Sequence, residues 1–345
     1  MEGFWVAPLL LPLAAAALAA QSTAVFYMEN KPESMRAFFT NAEKIGILVP
    51  TFYSADEQGG VTGEPNAEVL ETARRRGVPV MPIVVNPGFK QETVHRMLAN
   101  PVARARLAQN LLAECRRHKY YGIQLDLENI PASDREALTL LVRDTAALLA
   151  PDGFQLSIAT MYQRPEAPGE GGYARWLYDN WLGAYDLAEI TKHVEFVSLM
   201  TYDHHTERTP PGPIAGFPWV EEILGHCLKL VPKEKLSLGI PLYGRRWYAG
   251  ALRQNGAMLT ATVNAPEAGS LAAERKAAPL WDPLERAPWY YFYRDGIREY
   301  VFYNDARSFR ERYELVRQRS LHGFSAWVLG AEDPEIWKVL PAARR

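Results

Sequence analysis

Short runs of β-branched and aliphatic residues alternate with longer helical patterns from about residue 24 to the end of the chain. Eight of these runs are predicted to be strands: Ala24–Met28, Ile45–Tyr53, Val78–Val85, Gly122–Glu128, Phe154–Thr160, Phe196–Tyr202, Leu236–Leu242 and Gly323–Leu329. Regular strand–helix alternation is typical of a parallel sheet, and eight strands favour closure into a barrel. The sequence therefore predicts an α/β protein with a (β/α)8 TIM barrel.

Helical periodicity lies between most of these strands, and the clearest helices are predicted at Gln91–Lys119, Ser133–Leu149 and Trp219–Leu230. Ser133 is followed three residues later by Glu136, which is the spacing of a capping box. We therefore expect Ser133 to be the N-cap of its helix.

One stretch interrupts the alternation. Between Trp247 and about Ser308 no amphipathic helix of the barrel type is visible, whereas short aromatic runs such as Trp289–Tyr293 are present. We predict a small α+β insertion after the seventh strand, at about residues 248–308, that forms one wall of a cleft. The aromatic run is expected to contribute mainly to the core of the insertion.

The first twenty residues differ from the rest of the chain. No charged residue occurs from Phe4 to Ala20, Leu and Ala dominate, and Ala17–Ala19 has the A-x-A cleavage pattern. Residues 1–20 are predicted to be a signal peptide cleaved near Ala19 or Ala20, which leaves a single barrel domain over residues 21–345, secreted or periplasmic. Glu2 in place of a basic residue departs from the usual pattern, so an uncleaved anchor is the alternative.

Charge argues against nucleic acid as a partner. The net charge is −2, and proteins that bind a polyanion need a basic excess on some face. The basic runs Arg74–Arg76 and Arg116–Lys119 fall at the ends of helical patterns, where cations interact favourably with the helix dipole. We expect a monomer that has no membrane span once the leader is removed.

Neither the cysteines nor the histidines indicate a metal site or another cofactor. Cys115 and Cys227 are far apart in sequence and are expected either to pair or to remain buried free thiols. His204 and His205 are adjacent, and no third ligand stands at metal spacing. We therefore predict no metal and no cofactor.

The fourth predicted strand carries the candidate chemistry. Because strand residues alternate faces, Gln124, Asp126 and Glu128 share one side and the aliphatic residues between them share the other. The aliphatic side fits beneath the helices, so the polar side faces the barrel interior, with Glu128 as the last residue of the strand. Carboxylates are costly to bury unless they are hydrogen-bonded or functional, and catalytic groups of such barrels lie at the C-terminal strand ends.

This strand resembles a signature of glycoside hydrolase family 18, the chitinases and their relatives. The run Tyr121–Glu128 is similar to D-G-x-D-x-D-x-E, and three later runs resemble further motifs of the family in the same order: Ser198–Asp203 (M-x-Y-D), Gly239–Trp247 (G-x-P-x-Y-G-R-x-W) and Gly323–Trp327. Tyr121 and Gln124 replace the first two acidic residues of the signature. An amide at the second position is similar to spore-cortex-lytic enzymes and di-N-acetylchitobiase.

The resemblance implies a retaining, substrate-assisted hydrolysis of β-1,4 linkages in N-acetylglucosamine-containing glycans. Glu128 is expected to act as acid and base. Asp126, assisted by Gln124, orients the acetamido group, and Tyr202 donates a hydrogen bond to its carbonyl oxygen. Further substrate-binding residues are expected at Met200, Asp203, Tyr243, Arg245 and Trp327.

Two questions stay open at the level of the sequence. Chitin oligosaccharides and peptidoglycan both fit the resemblance, and the amide of Gln124 slightly favours cell-wall or short-oligosaccharide substrates. The alternative function is a non-catalytic lectin on the same barrel, which Glu128 argues against because such lectins arise when the acid is lost.

Overall fold

The computed structural model of the protein describes residues 22–252 and 258–343. Its strands follow one another in the order β1 Thr23–Met28, β2 Ile47–Pro50, β3 Tyr53–Ala55, β4 Val61–Thr62, β5 Ile83–Val85, β6 Gly122–Asp126, β7 Gln155–Met161, β8 Phe196–Met200, β9 Leu236–Pro241, β10 Gly244–Leu252, β11 Met258–Val263, β12 Leu280–Asp282, β13 Ala287–Arg294, β14 Ile297–Phe302 and β15 Gly323–Trp327. The predicted signal peptide lies outside the described residues.

The α-helices are α1 Pro32–Asn41, α2 Ala67–Arg76, α3 Gln91–Ala99, α4 Pro101–His118, α5 Arg135–Leu149, α6 Gly172–Leu177, α7 Leu187–Ile190, α8 Phe217–Cys227, α9 Ala265–Glu274, α10 Ala306–Gln318 and α11 Ile336–Val339. In the described part of the chain, none of the helices combines the length and the apolar character that crossing a membrane requires.

Eight strands close into the predicted barrel. The sheet order is β2-β1-β15-β9-β8-β7-β6-β5, and the pairings between these neighbours are parallel. A parallel bridge between Leu48 and Val80 joins β2 to the segment that leads into β5 and so closes the cylinder. The short strands β3 and β4 extend the sheet beyond β5. The predicted (β/α)8 fold is therefore confirmed.

The core has two layers, as strand alternation predicts. Ile123 and Leu125 on β6 belong to the large cluster between barrel and helices, whereas the intervening Gln124 and Asp126 are also buried. Val25 and Tyr27 on β1 belong to a separate interior cluster with residues of the neighbouring strands. The polar side of β6 thus faces the barrel interior, as predicted.

Two helix predictions are wrong in detail. The helix predicted at Gln91–Lys119 is interrupted at Asn100, whose side chain caps α4 by accepting from the Val102 amide, since Pro101 cannot continue the hydrogen bonds of α3. The helix predicted to begin at Ser133 begins instead at Arg135, and no side chain caps it. The carboxylate of Asp134 is engaged by His95 at 2.8 Å instead.

The predicted insertion is present. Residues Gly244–Phe302 contain a five-stranded antiparallel sheet of order β11-β10-β14-β13-β12, with α9 against one face. Within β13, Tyr290 and Phe292 are buried, whereas Tyr291 and Tyr293 are exposed. The expectation that this aromatic run forms core therefore holds for alternate residues only.

Both cysteines are buried free thiols. Cys115 lies in α4 and Cys227 in α8. Burial raises the pKa of the Cys115 thiol to about 12 and that of Cys227 to about 11. The two thiols are therefore protonated at neutral pH and contribute to packing.

Candidate active site

A cleft of about 690 Å³ opens where the barrel strands end. Its lining includes eight of the nine site residues predicted from the sequence: Asp126, Glu128, Met200, Tyr202, Asp203, Tyr243, Arg245 and Trp327. These residues come from the C-terminal ends of four barrel strands, β6, β8, β9 and β15, and from the first strand of the insertion. Catalytic residues of such barrels lie at this end.

Two carboxylates occupy the centre of the cleft. Burial raises the pKa of Asp126 to about 7. The pKa of Glu128 is raised well above its usual value, first by burial and then by the negative charges of Asp126 and Asp203. The Oδ1 atom of Asp126 is buried and has no hydrogen-bond partner among the described residues. The cleft thus contains a carboxyl group whose neutral form is favoured, beside an oxygen that can accept a hydrogen bond.

The backbone at Glu128 is held by side chains and not by a strand. Strand β6 ends at Asp126, two residues earlier than predicted. After Asp126, the side chain of Asn86 makes the hydrogen bonds that a neighbouring strand would otherwise make. Its Oδ1 accepts from the Glu128 amide at 3.0 Å, and its Nδ2 donates to the Glu128 carbonyl at 3.0 Å. The Tyr185 hydroxyl donates to the Leu127 carbonyl at 2.7 Å. Glu128 therefore has a fixed backbone although it lies outside the sheet.

Gln124 lies below the cleft and does not line it. Its side chain is fully buried; Oε1 accepts from the Tyr27 hydroxyl at 2.6 Å, and Nε2 donates to Ser157 and Ser198 at 2.9 and 3.1 Å. Ser198 and Ser237 each bond to Ser325, at 2.8 and 2.7 Å. These six residues form an uncharged polar layer in the barrel interior, and Gln124 supports the site from beneath.

The wall beside the insertion is a charged network. Asp203 Oδ1 accepts from the Tyr243 hydroxyl at 2.8 Å and from Arg245 Nη2 at 3.0 Å. The second amino group of Arg245 donates to Glu207 Oε2 at 3.0 Å. Asp203 has a φ of 56°, a left-handed conformation that aspartate tolerates better than most residues. Glu207 is the one member of this network that was not predicted from the sequence.

The floor of the cleft is aromatic. Trp327 ends β15, and its ring lies 5.2 Å from that of Tyr27. Tyr202 follows β8, and its ring packs against Gly239. A Cβ atom added to Gly239 would lie only 3.0 Å from Cε1 of Tyr202. Burial is the main cause that raises the pKa of the Tyr202 hydroxyl. This hydroxyl therefore remains a hydrogen-bond donor at physiological pH.

The surroundings of His204, one of the two adjacent histidines, indicate a role in packing. The ring of His204 stacks on Trp219 at 4.5 Å with an interplanar angle of 6°. Burial lowers the pKa of His204 to about 4. Over the described ranges, no group of three or more histidine, cysteine or acidic side chains is placed to hold a metal ion.

The opposite rim was not identified from the sequence. Tyr173 and Trp176 on α6 line the cleft with rings 5.9 Å apart, and the guanidinium of Arg208 lies 5.8 Å from the Trp176 ring. These residues lie on segments between barrel strands, where no periodic pattern marks a position. Asn86 was also missed, although a polar residue directly after a buried strand is a recognisable feature.

Comparisons with known proteins agree with the barrel fold. The family profile described as "Glycosyl hydrolases family 18" matches residues 22–332. The cortical fragment-lytic enzyme of Bacillus subtilis is 25% identical over 292 residues, which cover 84% of this chain and 65% of that protein. The solved spore cortex-lytic enzyme SleL of Bacillus cereus has a TM-score of 0.82 at 22% identity, covering 92% of this chain and 73% of that one. A chitinase from Chromobacterium violaceum has a TM-score of 0.82 at 23% identity, covering 92% and 97%.

Proposed function

The chain belongs to family 18 of the glycosyl hydrolases and is a glycosidase, and on that premise we propose that it cleaves β-1,4 linkages of N-acetylglucosamine-containing glycans by a retaining, substrate-assisted mechanism. One observation carries the proposal. Glu128, whose neutral form is favoured by burial and by neighbouring negative charges, lies in the cleft beside Asp126, whose buried Oδ1 has no hydrogen-bond partner among the described residues. A 2-acetamido group supplies the N–H donor that this oxygen needs.

Glu128 acts as the general acid. Burial and the two neighbouring negative charges favour its neutral form, which carries the proton that is transferred to the glycosidic oxygen. After the leaving group has departed, the resulting carboxylate takes a proton from the attacking water. General acid–base assistance of this kind contributes about 10²–10⁴-fold to the rate.

The substrate supplies the nucleophile. Its acetamido oxygen attacks the anomeric carbon from the face opposite the leaving group and forms an oxazolinium ion, and water then opens this ring with retained configuration. Asp126 accepts the acetamido N–H and stabilises the positive charge. Tyr202 donates its hydroxyl to the acetamido oxygen and thereby orients it for attack. Alignment of the internal nucleophile adds a proximity contribution.

The remaining cleft residues hold the sugar. The indole of Trp327 packs against the apolar face of the reacting ring, and Met200 fills the space beside the acetamido methyl. The ion-paired wall of Asp203, Tyr243 and Arg245 offers hydroxyl, carboxylate and guanidinium groups to sugar hydroxyls. Gln124 contributes by fixing β6 through the polar layer, since all of its hydrogen bonds go to protein groups.

Product analysis by mass spectrometry tests the proposal, with purified protein incubated separately with chitin oligosaccharides and with peptidoglycan. Cleavage of either supports it, and the product lengths give the mode of attack. Glu128→Gln should lower kcat at least about 10²-fold while binding persists. Glu136→Gln, which alters an exposed residue of α5, is the matched control. Binding without cleavage of either glycan by the unaltered protein would favour the lectin function.

A further inference from the structure

A row of aromatic side chains runs across one face of the insertion sheet. Strands β13 and β14 are antiparallel, and three residue pairs face one another across them: Trp289 with Phe302, Tyr291 with Tyr300, and Tyr293 with Arg298. Residues directly opposite in an antiparallel pair lie on the same face, as do alternate residues of one strand. We refer to these six residues as the aromatic ladder.

The members of the ladder are in mutual contact. The Trp289 and Phe302 rings stack at 5.6 Å with an angle of 11°, and the Tyr291 and Tyr300 rings lie 6.2 Å apart. Arg298 donates to the Tyr293 and Tyr300 hydroxyls at 2.9 and 3.0 Å. Its guanidinium carbon lies 4.7 Å from the centre of the Tyr291 ring. The ladder is therefore an ordered surface.

The two faces of the sheet differ in what covers them. On the other face, Tyr290, Phe292 and Val301 pack with residues of α9, and the Tyr290 hydroxyl donates to the Ala268 carbonyl at 2.8 Å. On the ladder face, Tyr291 and Tyr293 are 39% and 58% exposed. Contiguous exposed aromatic side chains are a feature of binding surfaces.

The ladder continues the wall of the cleft. Strand β10 pairs with β14 on the other side of the ladder strands. Arg245 lies opposite Phe302 and Trp247 lies opposite Tyr300, so Arg245 and Trp247 are on the same face as the ladder. Arg245 lines the cleft, and Trp247 is fully buried against Tyr243 and Ile214. Exposure thus increases from Trp247 outward to Tyr291 and Tyr293, along a single sheet face that begins at the candidate active site.

We propose that the aromatic ladder is a second glycan-binding surface, which receives the part of a polysaccharide strand that extends beyond the cleft. The proposal rests on the glycosidase function proposed above. Aromatic rings pack on the apolar faces of pyranose rings, while tyrosine hydroxyls and a guanidinium serve the sugar hydroxyls at the edges. The continuity with Arg245 favours the glycan over a protein partner, because Arg245 lines the cleft and is paired with Phe302 of the ladder.

Sedimentation with an insoluble polymer measures binding without turnover. The Glu128→Gln protein is mixed with insoluble chitin and, separately, with insoluble peptidoglycan, and the free fraction gives an apparent Kd. Adding Tyr291→Ser and Tyr293→Ser should weaken binding to the retained polymer about 10-fold, which corresponds to 1.4 kcal/mol for two rings. Tyr293→Ser alone changes the more exposed of the two tyrosines and should give a smaller loss of polymer binding. This single variant tests the proposal even if the double variant does not fold.

Ile297→Ala is the matched control, because Ile297 is 45% exposed in the same hairpin but adjoins Arg298 in sequence and so points to the opposite face. It should bind the polymer as the parent does. In the active enzyme, the Tyr291 and Tyr293 changes should reduce kcat/KM for a hexasaccharide more than for a disaccharide. Thermal melting confirms that each variant is folded.

The outcomes separate the two proposals. Equal polymer binding by the ladder variants and the control overturns the ladder, as does equal loss on hexasaccharide and disaccharide, and the glycosidase function is untouched in either case. Absence of cleavage by the unaltered protein, with ladder-dependent binding to polymer, overturns the glycosidase function and leaves the ladder as a glycan-binding surface. Failure of the parent to bind either polymer, with oligosaccharide cleavage intact, overturns the ladder in favour of another partner.

Discussion

Replacing Asn86 by alanine tests how the acid is positioned. The Asn86 side chain is 1% exposed and makes both backbone hydrogen bonds of Glu128, each at 3.0 Å. A net hydrogen bond contributes about 0.5–1.5 kcal/mol, so the two bonds together stabilise the fold by roughly 1–3 kcal/mol. Misplacing a reacting group by about 1 Å costs up to about 10²-fold in rate. Asn86→Ala should therefore lower kcat about 30- to 100-fold and change KM little.

The assay combines a pH profile of kcat/KM on a chromogenic di-N-acetylchitobioside with thermal melting. Asn86→Asp is the informative second variant, because it keeps an acceptor for the Glu128 amide, removes the donor to the Glu128 carbonyl and places a negative charge nearby. That charge should raise the pKa of Glu128 further. Because the acid must be protonated, the alkaline limb of the profile should move to higher pH, which Asn86→Ala should not cause.

A structural asparagine elsewhere supplies the control. Asn110 donates to the Gly59 carbonyl at 2.9 Å and does not line the cleft. Asn110→Ala should lower the melting temperature and leave the kcat of the folded protein unchanged. If Asn86→Ala behaves in the same way, with kcat and KM of the folded protein within about twofold of the parent, Asn86 does not position Glu128 for catalysis.

Two further predictions concern the residues around Glu128. Asp126 has a folded pKa of about 7, above its usual 3.8, so its charge destabilises the fold increasingly from about pH 4 to 7 and fully above that. Asp126→Asn should thus raise the melting temperature more at pH 8 than at pH 4 while abolishing most turnover, and equal shifts at both pH values would contradict this. Tyr185→Phe removes the donor to the Leu127 carbonyl and should cost about 1–3 kcal/mol in urea unfolding; an unchanged midpoint would show that this bond contributes nothing.

The fold and the centre of the site were predictable because they depend on two regular patterns: strands alternate with helices along the chain, and side chains alternate between the two faces of a strand. The faces of β6 follow from strand geometry alone, and so does the buried position of Gln124 and Asp126. The family motifs at the ends of β8, β9 and β15 placed Tyr202, Tyr243 and Trp327 in the cleft. The family itself is confirmed by the match over residues 22–332.

The residues that hold the backbone around Glu128 were not predicted, because they act through contacts between segments that are distant in sequence. Asn86 bonds to Glu128 across 42 positions, and Tyr185 reaches Leu127 across 58. The polar position of Asn86 after β5 is visible in the sequence, but no local pattern shows that its side chain bonds to Glu128, because hydrogen bonds of side chains to the backbone replace the strand ladder where β6 ends. The break at Asn100, in contrast, was visible in the sequence, since the proline that follows cannot continue a helix.

The uncharged polar layer also makes the barrel rigid beneath the cleft. A contact between apolar side chains has no preferred direction, whereas a hydrogen bond weakens steeply with a change of angle. Gln124, Tyr27 and the serines tie strands on opposite sides of the cylinder, so a rotation of one strand breaks bonds on several others. The layer therefore fixes the register of the barrel strands directly under Asp126 and keeps the floor of the cleft in place.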